Sequence, residues 1–111
     1  MARISPVSLY RGDTWSRVWS PKDPSGVPID LTGATARLHL RDKVGALVLE
    51  ASTANGRLVI APGTITLEVA FADMELPPGT YRFDLEVTYA SGRRRTYEVN
   101  VLVVLEDVSH G

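Results

Sequence analysis

The sequence predicts an all-β sandwich of about eight short strands with one helical turn. Apolar and polar residues alternate with a period of two in short runs, as expected for strands that bury one face. Most of the 9 glycines and 7 prolines lie between these runs, where turns are expected. No stretch repeats apolar residues at helical spacing over two full turns, so an all-β domain is favoured over a mixed one.

The length of 111 residues indicates a single domain, which we place at residues 1–111 with a core at 6–105 and a tail at 106–111. The absence of cysteine excludes disulfides, thiolate catalysis and cysteine-based zinc sites. With 12 basic and 13 acidic residues the net charge is −1, which predicts neither a nucleic-acid nor a membrane partner. The N-terminus lacks the apolar run of a signal peptide, so we expect synthesis in a cytoplasm.

The predicted strands of the first half are separated by turn-forming residues. They cover residues 7–10, 14–20, 27–31, 34–42 and 47–51. In the second of these, Trp15, Arg17 and Trp19 share one face, and the two tryptophans favour that face as the inner one. Arg17 is then expected to lie along the edge on its aliphatic stem. The tripeptide Arg11-Gly12-Asp13 matches a cell-adhesion signal, but a turn that uses the glycine is strongly favoured.

The second half begins with two strands at 57–61 and 64–70, around a turn at Pro62 and Gly63. Residues 72–76 are the one helix-like stretch. Asp73 is expected to cap a single turn there, and Pro77 to stop it.

A long hairpin, residues 80–89 and 96–105, organises the rest of the sandwich. A two-residue loop would set Leu85 against Glu98, apolar against polar. A three-residue loop, Ser91-Gly92-Arg93, instead sets apolar residues against each other, so we predict an odd-length turn or a bulge around Gly92. The pairs expected from this loop are Val87 with Tyr97, Leu85 with Val99, Phe83 with Val101, and Tyr81 with Val103.

This register has two consequences for the outer face of the hairpin. Glu86 opposes Glu98, and a cation from a neighbouring strand, Arg37 or Arg41, is expected to relieve the repulsion. Leu102 and Val104 also point outwards. A strand that is apolar on both faces is covered by more protein or belongs to an interface, so these two residues are predicted interface residues.

Catalytic and metal-binding chemistry is weakly indicated. The carboxylates Glu68, Asp84, Glu86 and Glu98 are expected on solvated strand faces, and an acid–base pair for glycoside cleavage is disfavoured. The two histidines, His39 and His110, lack clustered partners and are predicted to be surface residues. We therefore predict no enzymatic activity, no cofactor and no metal site.

Two loops add polar candidates for a protein interface. The loop at 21–27 has strong turn chemistry and contributes Asp23 and Ser25. The basic run Arg93, Arg94 and Arg95 lies at the tip of the hairpin. It lacks interleaved aromatic residues, so a solvated turn or an inter-subunit ion-pair patch is favoured over nucleic-acid binding.

Three segments in this order resemble small immunoglobulin-like structural proteins of tailed bacteriophages and prophages. They are residues 10–15 (YRGDTW), residues 28–38 (PIDLTGATARL), and residues 76–81 (LPPGTY) with 84–87 (DLEV). They are also similar to the N-terminal domain of phage baseplate upper proteins. The resemblance covers about residues 7–105, and the chain stops without the downstream region that would hold a receptor-binding protein.

This resemblance implies an immunoglobulin-like antiparallel sandwich that serves as a non-enzymatic virion structural protein. Its expected role is an adaptor in the tail, baseplate or fibre-attachment region. The implied partners are other virion proteins in a homo-oligomer or symmetric array, and the implied location is the virion after synthesis in the bacterial cytoplasm. The alternatives are a decoration protein of capsid, neck or tail tube, and a carbohydrate-binding module for host glycans that needs Trp15 or Trp19 exposed.

Overall fold

The computed structural model describes residues 6–106, which form eight β-strands and one 3-10 turn. The strands are β1 (Val7–Tyr10), β2 (Trp15–Trp19), β3 (Thr35–Arg41), β4 (Leu47–Ser52), β5 (Leu58–Ala61), β6 (Thr64–Val69), β7 (Gly79–Thr88) and β8 (Arg94–Leu105). The 3-10 turn covers Phe71–Asp73. The predicted all-β class, with about eight strands and one helical turn, is confirmed.

Two sheets form the sandwich. A five-stranded sheet has the order β1-β8-β7-β3-β4, and a three-stranded sheet has the order β2-β6-β5. All pairings are antiparallel except that of β1 with β8, which is parallel. The turn at residues 11–13 lets the chain leave the first sheet and enter the second, as Gly12 adopts a φ of 84° and Asp13 N–H donates to Tyr10 O.

The two sheets meet over a core of aromatic and aliphatic side chains. Trp15 on β2 and Phe83 on β7 are 1% and 2% exposed, and their rings pack edge to face with centroids 5.2 Å apart. Two residues before Phe83, the Tyr81 hydroxyl donates to Pro77 O at 2.5 Å. A tyrosine at the start of this strand that bonds back to the backbone is the tyrosine corner of immunoglobulin-like sandwiches. The predicted inner position of Trp15 is confirmed.

The register of the β7–β8 hairpin differs from the predicted one. The loop holds three residues, as predicted, but they are Ala90 to Gly92 and not Ser91 to Arg93, because Tyr89 N–H donates to Arg93 O and Gly92 N–H donates to Tyr89 O. A bulge at Tyr97 then shifts the pairing, since Leu85 opposes Glu98 while Glu86 opposes Thr96.

The shifted register exchanges the two faces of β8, because a slip of one residue moves every side chain to the other side. Leu102 and Val104 are 0% and 2% exposed and belong to the core, so their predicted role in an interface is wrong. The predicted inner positions are also wrong: Val99 is 63% exposed, and Val101, Val103 and Leu105 share its face. The sequence pattern could not decide this because β8 is apolar on both sides.

Two local predictions are also corrected. Residues 27–31 do not form a strand; Lys22 and Pro28 make an isolated bridge, and the segment continues as a loop. Asp73 does not cap the 3-10 turn and forms an ion pair with Arg57 at 3.1 Å instead. Among residues 6–106, no helix is long and apolar enough to cross a membrane.

Candidate functional site

An apolar band runs along the outer face of the five-stranded sheet. We call it the outer strip, and it consists of Tyr10, Val99, Val101, Val103 and Leu105. Tyr10 joins it because β1 pairs in parallel with β8 and places Tyr10 beside Leu105. Three members are well exposed, at 52% for Tyr10, 63% for Val99 and 37% for Leu105, and the other two are half-buried. The strip lies on the face that points away from the three-stranded sheet.

Two charges flank the outer strip on β7. Arg82 opposes Val101 and Asp84 opposes Val99, so both side chains lie on the outer face. Within residues 6–106 neither forms an ion pair. On the neighbouring strand β3, Arg37 contacts Glu86 at 3.1 Å and His39 contacts Glu50 at 2.8 Å. Arg41, which opposes Arg82, forms no ion pair within residues 6–106.

The predicted Glu86–Glu98 pair does not form, because the bulge turns Glu98 to the inner face. The expected cation is present nonetheless: Arg37 binds Glu86, whereas Arg41 donates to Gly45 O at 3.1 Å. On the inner side, Arg17 donates to both oxygens of Glu98, with its Nε 2.8 Å from Oε1.

Glu98 is the centre of a polar cluster between the sheets. Besides Arg17, the indole of Trp19 donates to Oε1 at 2.8 Å and the amide of Asn100 donates to Oε2 at 2.9 Å. Burial by itself raises the pKa of Glu98, but the hydrogen bonds from Arg17, Asn100 and Trp19, together with the charge of Arg17, outweigh burial and leave it below its usual value. The carboxylate therefore stays charged and joins β8 to β2.

The arginines at the hairpin tip line a cleft at one end of the sandwich. This basic cleft has a volume of about 470 Å³, and its polar lining comprises Asp30, Thr32, Ser91, Arg93, Arg94 and Arg95. The loop before β3 closes against the hairpin tip, where a Cβ on Gly33 would lie 3.0 Å from the Cβ of Ala90. Arg95 lies over the ring of Tyr97, 5.8 Å from its centroid. The three predicted arginines thus share one concave surface.

An adjoining cleft of about 510 Å³ has a largely apolar lining. We call it the apolar cleft, and its apolar lining comprises Pro28, Ile29, Leu31, Ile60 and Pro62. Ile29, Asp30 and Thr32 line both clefts, so the two are neighbours. The backbone N–H and hydroxyl of Thr32 both bond to the Asp30 carboxylate, and these hydrogen bonds lower its pKa.

The remaining candidates lie apart from these surfaces. The Asp23 carboxylate accepts hydrogen bonds from the N–H groups of Ser25 and Val27, at 2.8 and 3.0 Å, which closes an exposed turn. A role of Asp23 and Ser25 in an interface stays a prediction. Among residues 6–106, no three His, Asp or Glu side chains cluster as metal ligands. His39 is half-buried beside Glu50, and His110 lies outside the described residues.

Sequence reasoning missed the outer strip, the Glu98 cluster and the contribution of residues 29–32 to the clefts. One signal was available for Glu98. The rejected register, with Leu85 opposite Glu98, requires an inward-facing cation, and Arg17 already lies on the tryptophan face of β2. The clefts carry no comparable signal, since the basic cleft joins segments about 60 residues apart in the chain and the apolar cleft joins segments about 30 residues apart.

Comparison with known proteins does not assign the chain to a family. No family model matches the chain, and no curated protein matches it. Among solved structures, the chain is similar to CopC from Methylosinus trichosporium OB3b, with 19% identity over 68% of this chain and 67% of that chain and a TM-score of 0.46.

The predicted function as a phage virion adaptor is corrected, because the similar structure, CopC, does not fit such an adaptor. The glycan-binding alternative also loses its basis, since Trp15 is buried in the core and Trp19 is half-buried with its indole N–H on Glu98. The resemblance to phage immunoglobulin-like proteins and the location in a virion stay predictions.

Proposed function

We propose that this chain is a non-enzymatic interaction domain that pairs with a second copy of itself through the outer face of its five-stranded sheet. The outer strip is the observation that carries the proposal. A contiguous row of valines, leucine and tyrosine on the face of a sheet is costly to leave in water and is a common mark of a protein–protein interface. Val99, at 63% exposure, is its most exposed member and lies at one end of the row.

The size of this face suits a stable dimer. The five strands hold 4, 12, 10, 7 and 6 residues in sheet order. At about 3.3 Å per residue and about 4.8 Å per strand, their outer face offers about 620 Å². This area lies at the low end of the roughly 600 to 1,000 Å² that each partner buries in a specific interface.

The charges beside the strip support a second copy as the occupant. In a two-fold interface, residue i of one protomer contacts residue j of the other, and j contacts i. Arg82 and Asp84 are opposite in sign, lie two residues apart on one face, and have no ion-pair partner within residues 6–106. Face-to-face packing about a dyad can bring each arginine to the aspartate of the other copy.

The mass in solution tests this proposal. Sedimentation equilibrium is expected to give about twice the monomer mass of 12.1 kDa. Val99→Asp places a charge in the strip and is expected to yield a folded monomer. Val59→Asp is the matched control, because Val59 on β5 is 57% exposed on the other sheet. It is expected to leave the dimer intact.

A charge exchange tests the dyad itself. Arg82→Asp and Asp84→Arg are each expected to weaken the dimer at least about tenfold, because each single variant faces like charges across the interface. The double variant restores opposite charges and is expected to recover most of the affinity. A wild-type protein that remains monomeric at millimolar concentration would refute the proposal, and so would a double variant as weak as its parents.

A further inference from the structure

We infer that the basic cleft and the apolar cleft together form a binding site for an acidic peptide segment of a partner protein, with the acidic residues on the arginines and apolar residues beside them. This inference goes beyond self-association, because the clefts lie at the hairpin-tip end of the sandwich and involve no residue of the outer strip.

The charge of the basic cleft is the first argument. Arg93, Arg94 and Arg95 bring three positive charges to its lining, and Asp30 brings one negative charge, which leaves +2. Within residues 6–106, no carboxylate lies within ion-pair distance of these arginines. Three adjacent guanidinium groups repel one another, and their fork of N–H donors suits carboxylates that arrive from outside.

The shape of the site is the second argument. The basic cleft holds about 470 Å³, and the apolar cleft continues it for about 510 Å³ along shared lining residues. The proline, isoleucine and leucine side chains of the apolar cleft have no hydrogen-bond donors for a phosphate. They suit the apolar side chains of an extended peptide, which can fill pockets beside its charged residues.

The aromatic residues at the cleft favour a peptide over a single-stranded nucleic acid. Nucleic-acid grooves use exposed aromatic faces on which bases stack. Here the hydroxyls of Tyr89 and Tyr97 contact each other, and Arg95 lies over the Tyr97 ring. The whole chain also carries a net charge of −1, so it lacks the broad positive surface that tracks a phosphate backbone.

Fluorescence anisotropy with defined probes tests this site. The main probe is a short fluorescein-labelled peptide with a run of glutamates followed by leucine and proline. Two further peptides replace the glutamates by glutamines or the apolar residues by serines, and an oligothymidine of equal net charge serves as the nucleic-acid probe. The wild type is expected to bind the acidic peptide, to bind each altered peptide more weakly, and to bind oligothymidine most weakly.

Variants of the protein locate the site. The triple variant Arg93→Gln, Arg94→Gln, Arg95→Gln is expected to lose at least about tenfold in affinity for the acidic peptide. Lys43→Gln is the control, since it removes an exposed cation that lies in the turn between β3 and β4, outside both clefts and the outer strip, and it is expected to leave peptide affinity unchanged. Melting temperatures confirm that the variants fold, which is expected because all four side chains are exposed.

Three results would overturn the inference: no binding of the acidic peptide, a triple variant that binds as the wild type does, or oligothymidine binding as tightly as the peptide. The last result would assign the cleft to nucleic acid. The solution mass of the triple variant keeps this test separate from self-association, because it is expected to remain equal to that of the wild type.

Discussion

Arg17 on β2 and Glu98 on β8 form a two-point ion pair that joins the two sheets of the sandwich. The Arg17 Nε lies 2.8 Å from Glu98 Oε1, and its terminal nitrogen contacts Oε2. Both side chains are largely shielded, at 30% and 17% exposure. The guanidinium also lies 5.8 Å from the ring centroids of Trp19 and Phe83. The pair is therefore packed into the end of the aromatic core.

Neutralising Glu98 is expected to destabilise the fold. Glu98→Gln keeps the shape of the side chain but removes the charge, which leaves Arg17 shielded without a counter-charge. We expect a loss of about 2 kcal/mol in the free energy of unfolding, measured by urea denaturation. Glu68→Gln is the control, because Glu68 is exposed on β6, and a change within about 0.5 kcal/mol is expected there. Equal effects of the two substitutions would contradict the role of the pair.

The same carboxylate predicts a specific dependence of stability on pH. Since the folded pKa of Glu98 lies below its unfolded value of about 4.5, its contribution is fully present above that pH. It is lost as the pH falls through the folded pKa. The difference in unfolding free energy between wild type and Glu98→Gln is therefore expected to be constant above about pH 4.5 and to narrow as the pH falls below it. A difference that stays constant or widens in acid would exclude this linkage.

Alanine substitutions on β8 test the observed register. Leu102 is fully buried, so Leu102→Ala is expected to cost about 2 to 5 kcal/mol through lost packing and a residual cavity. Val99→Ala, on the exposed face, is expected to cost less than about 1 kcal/mol. Thermal and urea denaturation in an Arg82→Asp background, at concentrations where sedimentation gives the monomer mass, separate folding from assembly. The reverse order of effects would restore the register predicted from the sequence.

The tyrosine corner is expected to contribute through a single hydrogen bond. Tyr81→Phe removes the hydroxyl that donates to Pro77 O and keeps the buried ring. We expect a loss of about 1 kcal/mol in unfolding free energy. Tyr10→Phe removes a hydroxyl from a side chain that is 52% exposed, and no measurable change in stability is expected. Indistinguishable melting temperatures for the two variants would argue against the corner.

The hairpin loop depends on the backbone of Gly92. Its φ of 91° lies in the region that favours glycine, and a Cβ there meets no atom within 4 Å. Gly92→Ala is therefore expected to cost about 1 kcal/mol through backbone strain alone. Gly92→Asn is expected to cost less, because asparagine tolerates positive φ better. Calorimetric melting of the two variants measures this order, and a neutral Gly92→Ala would show that the loop adopts another turn.

Much of the fold follows from local signals. The alternation of residues 34–42, 64–70 and 80–89 predicts strands that the structure contains with shifts of at most one residue at their ends. The three-residue loop near Gly92 also follows from the pattern. Residues 27–31 have the composition of a strand but form a loop, because Pro28 and the turn at Thr32 interrupt strand pairing. Asp73 is predicted to cap the helical turn, but it binds Arg57, which is a stronger partner than the backbone of a single turn.

The candidate surfaces depend on which side of β8 faces the core. Its valines and leucines satisfy either face, so hydrophobic patterning leaves the choice open. The bulge at Tyr97 determines which face of β8 points to the core. Arg17 stabilises this arrangement, because it neutralises Glu98 inside the sandwich and could not reach it on the outer face.

The sequence by itself determined an all-β chain, the positions of most strands and turns, and a last strand apolar on both sides, because these features depend on residues close together in the chain. Only the tertiary structure decided that Leu102 and Val104 are core and that Val99, Val101, Val103 and Leu105 face outwards. It alone also placed three arginines beside an apolar cleft. These outcomes depend on contacts between strands far apart in sequence, where one bulge and one ion pair determine the register.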